Sequence, residues 1–154
     1  MGIKLTRLTA LTALTTLALT LGVSGRPAFA DASHHLSGGG TATISQVAIN
    51  VWITDSGDAS GSFECLMAGR SAFVLPAFGL SHIMAVHATP SAGTISGSVA
   101  TLSGAGQLIM DGGQKVPIHM QAWVDVSTQQ FELTVVEVGT LPVETLLSGH
   151  ISLR

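Results

Sequence analysis

The stretch QVAINVWITDSGD, residues 46 to 58, decides the fold. Val47, Ile49, Val51 and Ile53 fall at every second position, with Ala48, Asn50, Trp52 and Thr54 between them. A period of two is the mark of a strand with one buried face, and Asp55-Ser56-Gly57-Asp58 then supplies turn chemistry. The same punctuation recurs to the end of the chain. Strands are expected near residues 43–54, 61–68, 71–75, 81–88, 94–102, 105–110, 115–126, 131–138 and 145–153. Turn-forming clusters such as Thr89-Pro90-Ser91, Ser103-Gly104, Asp111-Gly112-Gly113 and Gly139-Thr140 fall between them. No segment after residue 30 keeps a helical period. In QLIMDGGQKVPIHM (107–120) the Asp-Gly-Gly turn offers the positive φ angles a tight hairpin needs, and Pro117 places an edge or a bulge in the second strand. Short antiparallel strands with short connections are expected to protect their edges by closing. The expectation is an all-β fold: a single antiparallel, up-and-down-like barrel of about eight strands over residues 43–154, with Ile49, Val51, Ile118, Met120 and Ile151 inside.

Ahead of that domain, Lys4 and Arg7 precede an apolar run, Leu8 to Gly22, and Arg26-Pro27 follow it. This reads as a signal-peptide helix over residues 1–30: the run is about 15 residues long, against roughly 20 for a membrane span. The product is expected to be secreted, extracellular or periplasmic, with no membrane span in the mature chain. AFADASHH (28–35) offers two small-x-small triplets, and the one ending at Ala30, closer to the apolar run, is the favoured cleavage site. A cut after Ala32 would instead begin the chain Ser33-His34-His35, whose terminal amine, two amides and third-place imidazole would suit Cu(II) or Ni(II). Residues 31–42, with Gly38-Gly39-Gly40, read as a flexible glycine-rich leader.

Removing residues 1–30 takes away Lys4, Arg7 and Arg26 and no acid, so the formal charge falls from −3 to −6. Nucleic acid and anionic lipid are therefore poor partners. Charged residues make up 10% of the chain, and Ser, Thr and Gly take their place on the surface.

ISGSVATLSGAGQL, followed by DGG, FELTV and LSGHISL, resembles a family of small secreted bacterial β-barrel modules. The marks of the resemblance are the opening Ser37-Gly38-Gly39-Gly40-Thr41, Gly61-Ser62-Phe63, and Gly97-Ser98-Val99-Ala100-Thr101-Leu102. It spans most of residues 37–153, and SAFVLPAFGLSHIMAVHATP departs from it. The resemblance implies a barrel and carries over no catalytic residue.

Catalytic signatures are missing. The sequence holds no Gly-x-Ser-x-Gly elbow and no His-Glu-x-x-His. The scattered bases are His82, His87, His119 and His150, with Glu64, Asp125, Glu132 and Glu137. His82 and His87, an odd number apart, point to opposite faces of a regular strand. Cys65 is the single cysteine, alternates with Phe63 and Met67, and reads as a buried thiol rather than a nucleophile. No catalytic, cofactor-binding or metal-binding residue is therefore expected.

The tryptophans are more informative. Trp52 and Trp123 interrupt the polar faces of their strands, so a filled interior would leave both indoles outside. With His119, on the outward side of the strand that holds Trp123, they are the candidate ligand-binding residues. Together these features predict a non-enzymatic binding or structural module for a small molecule, glycan or protein. The alternatives are a lipocalin-like carrier and a cyclase- or dirigent-like barrel enzyme, both of which need a cavity inside the ring.

Overall fold

The computed structural model describes residues 33–68 and 83–154, which form nine strands and no helix. They are β1 (Ser33–Ala42), β2 (Gln46–Thr54), β3 (Ala59–Ala68), β4 (Ile83–Ser96), β5 (Val99–Met110), β6 (Lys115–Asp125), β7 (Gln130–Val135), β8 (Gly139–Thr140) and β9 (Glu144–Leu153). From β1 to β7 each strand pairs antiparallel with the next; β7 pairs with β9, and β9 returns to β1. Eight strands thus close a ring of hydrogen-bonded neighbours, and β8 shares the outer edge of β7 with the start of β9. The expected signal-peptide helix, the strand at 71–75 and His82 lie outside the described residues.

Alternation fills the ring. Leu36, Val51, Phe63, Val86, Ala100, Val124, Leu133 and Ile151, one from each ring strand, have no exposed surface, and Ile49, Ile118 and Met120 are buried beside them. Asp111 (φ 51°) and Gly112 (φ 70°) make the tight β5–β6 turn. Asp111 also accepts the Ile83 amide at 2.8 Å. Pro117 faces Gln107 across the β5 ladder, and β6 pairs with β7 only from Met120 onward, so among the described strands the proline sits on an edge.

Two expectations need correction. Ser33–Ala42 is not a flexible leader but strand β1, paired with β2 along one edge and β9 along the other. Its glycines permit close contact: a Cβ on Gly39 would run into the Val47 carbonyl, and one on Gly40 into that of Ser148. The second correction concerns residues 83–110, where the chain turns at Gly97-Ser98 rather than at 89–91 and 103–104. Thr89-Pro90-Ser91 is a bulge inside β4 and Gly104 lies inside β5, with Pro90 and Gly104 as register partners. Proline has no N–H for the ladder, which suits a bulge, and a Cβ on Gly104 would meet the Thr89 carbonyl.

Side chains complete the ring where strands run out. β7 and β9 share only the pairs Gln130↔Thr145 and Phe131↔Glu144. Beyond them Gln129, with φ 56°, lays its carboxamide along β9: Nε2 donates to the Ile151 carbonyl at 2.9 Å, and Oε1 accepts the Ile151 amide at 2.8 Å. A side-chain amide thereby stands in for a strand residue. Glu144, 2% exposed, ties β9 to the β1–β2 turn. Its Oε2 accepts the Ile44 and Ser45 amides at 2.8 Å, and its Oε1 accepts the Ser45 hydroxyl at 2.8 Å.

Candidate binding face

The inner residues are close-packed, and the open grooves lie on the outer wall. A water-sized gap beside any of the eight inner residues named above would give that residue exposed surface, and none has any. The largest side chains of the interior, Phe63 and Phe131, are likewise fully covered.

On the outer wall the registers gather Thr94, Thr101, Trp123 and Glu132 into one row across β4, β5, β6 and β7, since Thr94 faces Thr101, Thr101 faces Trp123 and Trp123 faces Glu132. The next row holds Ser103, Gln121 and Thr134. Together they line a groove of about 400 Å³, and the β2–β3 turn walls one end where the Gly93 amide donates to the Gly57 carbonyl at 2.9 Å. Thr94 and Thr101 share a hydrogen bond of 2.6 Å, which fixes both hydroxyls. Trp123 is half-buried in this groove. One flat apolar surface bordered by hydroxyls, an amide and a carboxylate is suited to a ring that is apolar on its face and polar at its edge.

Trp52 is 49% exposed. The His35 ring covers one face of the indole, with centroids 4.2 Å apart and planes within 6°. His35 is itself fixed, its Nε2 lying 2.8 Å from Asn50 Oδ1. The two tryptophans do not share a concavity. They stand on β2 and β6, four strands apart whichever way the ring is followed, so the indoles face opposite directions.

His119 lies in an adjoining shallow groove of about 380 Å³ that shares Ser103 and Gln121 with that of Trp123. Its ring Nδ1 is 2.7 Å from Glu137 Oε1, and both Glu137 oxygens accept the His119 backbone amide at 3.0 Å. These bonds hold the Glu137 carboxyl below its ordinary range, the backbone bond contributing most. An oriented acid–histidine pair has the form of a base with its positioning group. Here, however, the side chains are 75% and 41% exposed, and His119 has no hydrogen bond to a serine or to Cys65 among the described contacts. The pair has a structural use instead. On the side away from β5, residues 115–119 of β6 have no partner strand among the described residues, Pro117 has no N–H, and Glu137 caps the amide of His119, so this edge is blunted against further pairing.

The other candidate bases are dispersed. His87 Nδ1 lies 3.6 Å from Glu64 Oε1, its cross-strand partner, in a groove of about 600 Å³ floored by Ala48, Ala85 and Gly40. His150 is exposed on β9. Asp125 is held down to about 2, first by the Ser127 hydroxyl and then by its amide, and organises the turn after β6. Cys65 is buried, and burial pushes its thiol up to about 12; Ser45 offsets part of that rise and the Glu144 charge adds to it. The thiol is buried, as its position among apolar residues suggested.

The amino-terminal copper chelate does not fit this strand. It needs the His34 and His35 amides as ligands, but the His35 amide donates to the Arg154 carbonyl at 2.8 Å and its ring is stacked on Trp52. His34 Nε2 is turned to Asp55 Oδ1 at 3.2 Å. Among the described residues no three of His, Cys, Asp and Glu converge on a metal site. No helix of the described residues is long and apolar enough to cross a membrane.

Sequence reasoning missed Glu144 and Gln129, whose roles depend on partners 22 to 100 residues away. It also missed the pairing of Thr94 with Thr101, which follows once the turn is set at Gly97-Ser98. No protein-family model, curated protein or solved structure matches the chain.

Proposed function

We propose that the chain is a secreted, non-enzymatic module built as an up-and-down β-barrel, and that it holds its ligand on the outer wall in the groove of Trp123. The observation that carries this reading is the full burial of one residue from every ring strand, which leaves no water-sized gap beside those eight side chains and so favours the outer wall over an inner cavity. A carrier or a cyclase would need a cavity of roughly 300 Å³ or more among those side chains. Export follows from the basic head and apolar run at residues 4–22. The resemblance to small secreted barrel modules agrees with both.

The test is a binding screen on the mature protein with two ligand sets, neutral oligosaccharides and apolar carriers' cargo such as medium-chain fatty acids. Saccharide binding that is lost in Trp123→Ala and weakened in Glu132→Gln or Thr101→Ala supports the reading. Saturable fatty-acid binding that ignores Trp123→Ala and fails when Leu133→Trp fills the axis would overturn it.

A further inference from the structure

We infer that the wall opposite the Trp123 groove carries a second, independent saccharide platform centred on Trp52, which makes one domain bivalent for a neutral glycan. The inference rests on the outer wall being the binding surface. It does not rest on the Trp123 groove being occupied.

An exposed indole normally samples several rotamers, and a ligand that stacks on it must first stop that motion. Trp52 is already held. His35 lies parallel against one face, and His35 is fixed in turn by Asn50 and by the backbone pair it makes with Arg154, 2.8 Å and 3.1 Å. The cross-strand partner on the other side is Ser60, too short to reach across an indole. Among the described residues nothing is stacked on the second face of Trp52, in keeping with its 49% exposure.

Around that face the outward positions are small and polar. Asn50 and Thr54 flank Trp52 on β2, Ser60 and Ser62 lie on β3, and Ser37 faces Asn50 from β1. A pyranose presents a flat patch of C–H groups ringed by hydroxyls. The indole would take the patch, and the hydroxyl and amide groups its rim. A phosphorylated ligand is disfavoured by a net charge of −3 over the whole chain, and a methylated cation would want more than one aromatic wall.

The geometry sets the valency. β2 and β6 are separated by the same number of strands in both directions around the ring, so Trp52 and Trp123 address ligands on opposite sides and one short oligosaccharide cannot span both. Two chains of a polysaccharide could be held by one domain.

The chain has two tryptophans, so its two indole N–H signals report the two walls separately. The experiment is a ¹H–¹⁵N titration of the mature protein with neutral hexasaccharides of glucose, mannose and N-acetylglucosamine, with tetramethylammonium as a cationic control. The expected result is saturable movement of the Trp52 signal with at least one hexasaccharide. It should persist in Trp123→Ala and weaken about tenfold in His35→Ala, where the Trp123 signal still reports a folded ring. Movement of the Trp123 signal alone would overturn the second platform and leave the first standing. Movement of Trp52 alone would keep the second platform and remove the first. Movement of Trp52 only with tetramethylammonium, or of neither signal with any probe, would overturn the inference.

Discussion

Replacing Gln129 tests whether a side chain can take the place of a missing stretch of strand. In Gln129→Ala the Ile151 amide and carbonyl lose their partners at 2.8 and 2.9 Å, and the Val126 carbonyl loses a third bond. A buried group left without its partner costs about 1–3 kcal/mol. These contacts are only part-buried, so water recovers a share and the net loss should be about 2–3 kcal/mol. Gln129→Asn, one methylene shorter, should lose nearly as much because the amide no longer reaches β9. The backbone provides an internal control: Gln129 sits at φ 56°, where glycine is favoured by about 1 kcal/mol over a residue with a Cβ. Gln129→Gly should therefore be more stable than Gln129→Ala, the reverse of the order in an ordinary strand. Urea unfolding followed by tryptophan fluorescence gives the stabilities, and hydrogen exchange at the Ile151 amide reports the seam directly. If that amide exchanges at the wild-type rate in Gln129→Ala and the unfolding free energy moves by less than about 0.5 kcal/mol, the seam does not depend on the carboxamide and the reasoning fails.

Other expectations concern the acids. Glu144→Ala removes the acceptor of the Ile44 and Ser45 amides and of the Ser45 hydroxyl, so equilibrium unfolding should show a loss of about 3 kcal/mol; a loss under about 1 would mean the turn holds itself. The folded Asp125 carboxyl, at about 2, lies below the ordinary value of about 3.9, so its contribution is present above pH 4 and disappears as pH falls through 2. The difference in unfolding midpoint between wild type and Asp125→Asn should shrink across that window, and a constant difference would contradict the assignment. Opening the β6 edge with Pro117→Val and Glu137→Ala together should produce concentration-dependent self-association beyond that of the wild type in sedimentation velocity. Unchanged sedimentation would show that the pair does not guard the edge.

What could be read in the sequence was what side chains write in a period of two. β2 and β6 alternate between large apolar and polar residues, so their faces, and the outward placement of Trp52 and Trp123, followed directly. β1 was illegible because Gly38, Gly39 and Gly40 carry no side chains to alternate, and glycine signals flexibility and close contact alike. Pro90 and Gly104 misled for a related reason: each resembles a turn alone, yet across a ladder they form one paired bulge. Glu144 and Gln129 gave no local sign, since a buried acid or a bridging amide is recognisable only once its distant donors and acceptors are placed. The outer groove was half visible: Trp123 stood out, whereas Thr94, Thr101 and Glu132 became its neighbours only through register.

The central claim, that the ring is filled and ligands meet its outside, is tested most directly by methyl-resolved NMR of the protein. Leu36, Val51, Val86, Leu133 and Ile151 serve as reporters of the axis, and the Trp123 indole reports the wall. The account predicts that saturating oligosaccharide moves the Trp123 signal and leaves the inner methyls in place, and that fatty acid moves none of them. Nuclear Overhauser contacts between a bound ligand and the methyls of Leu133 or Val51 would contradict it.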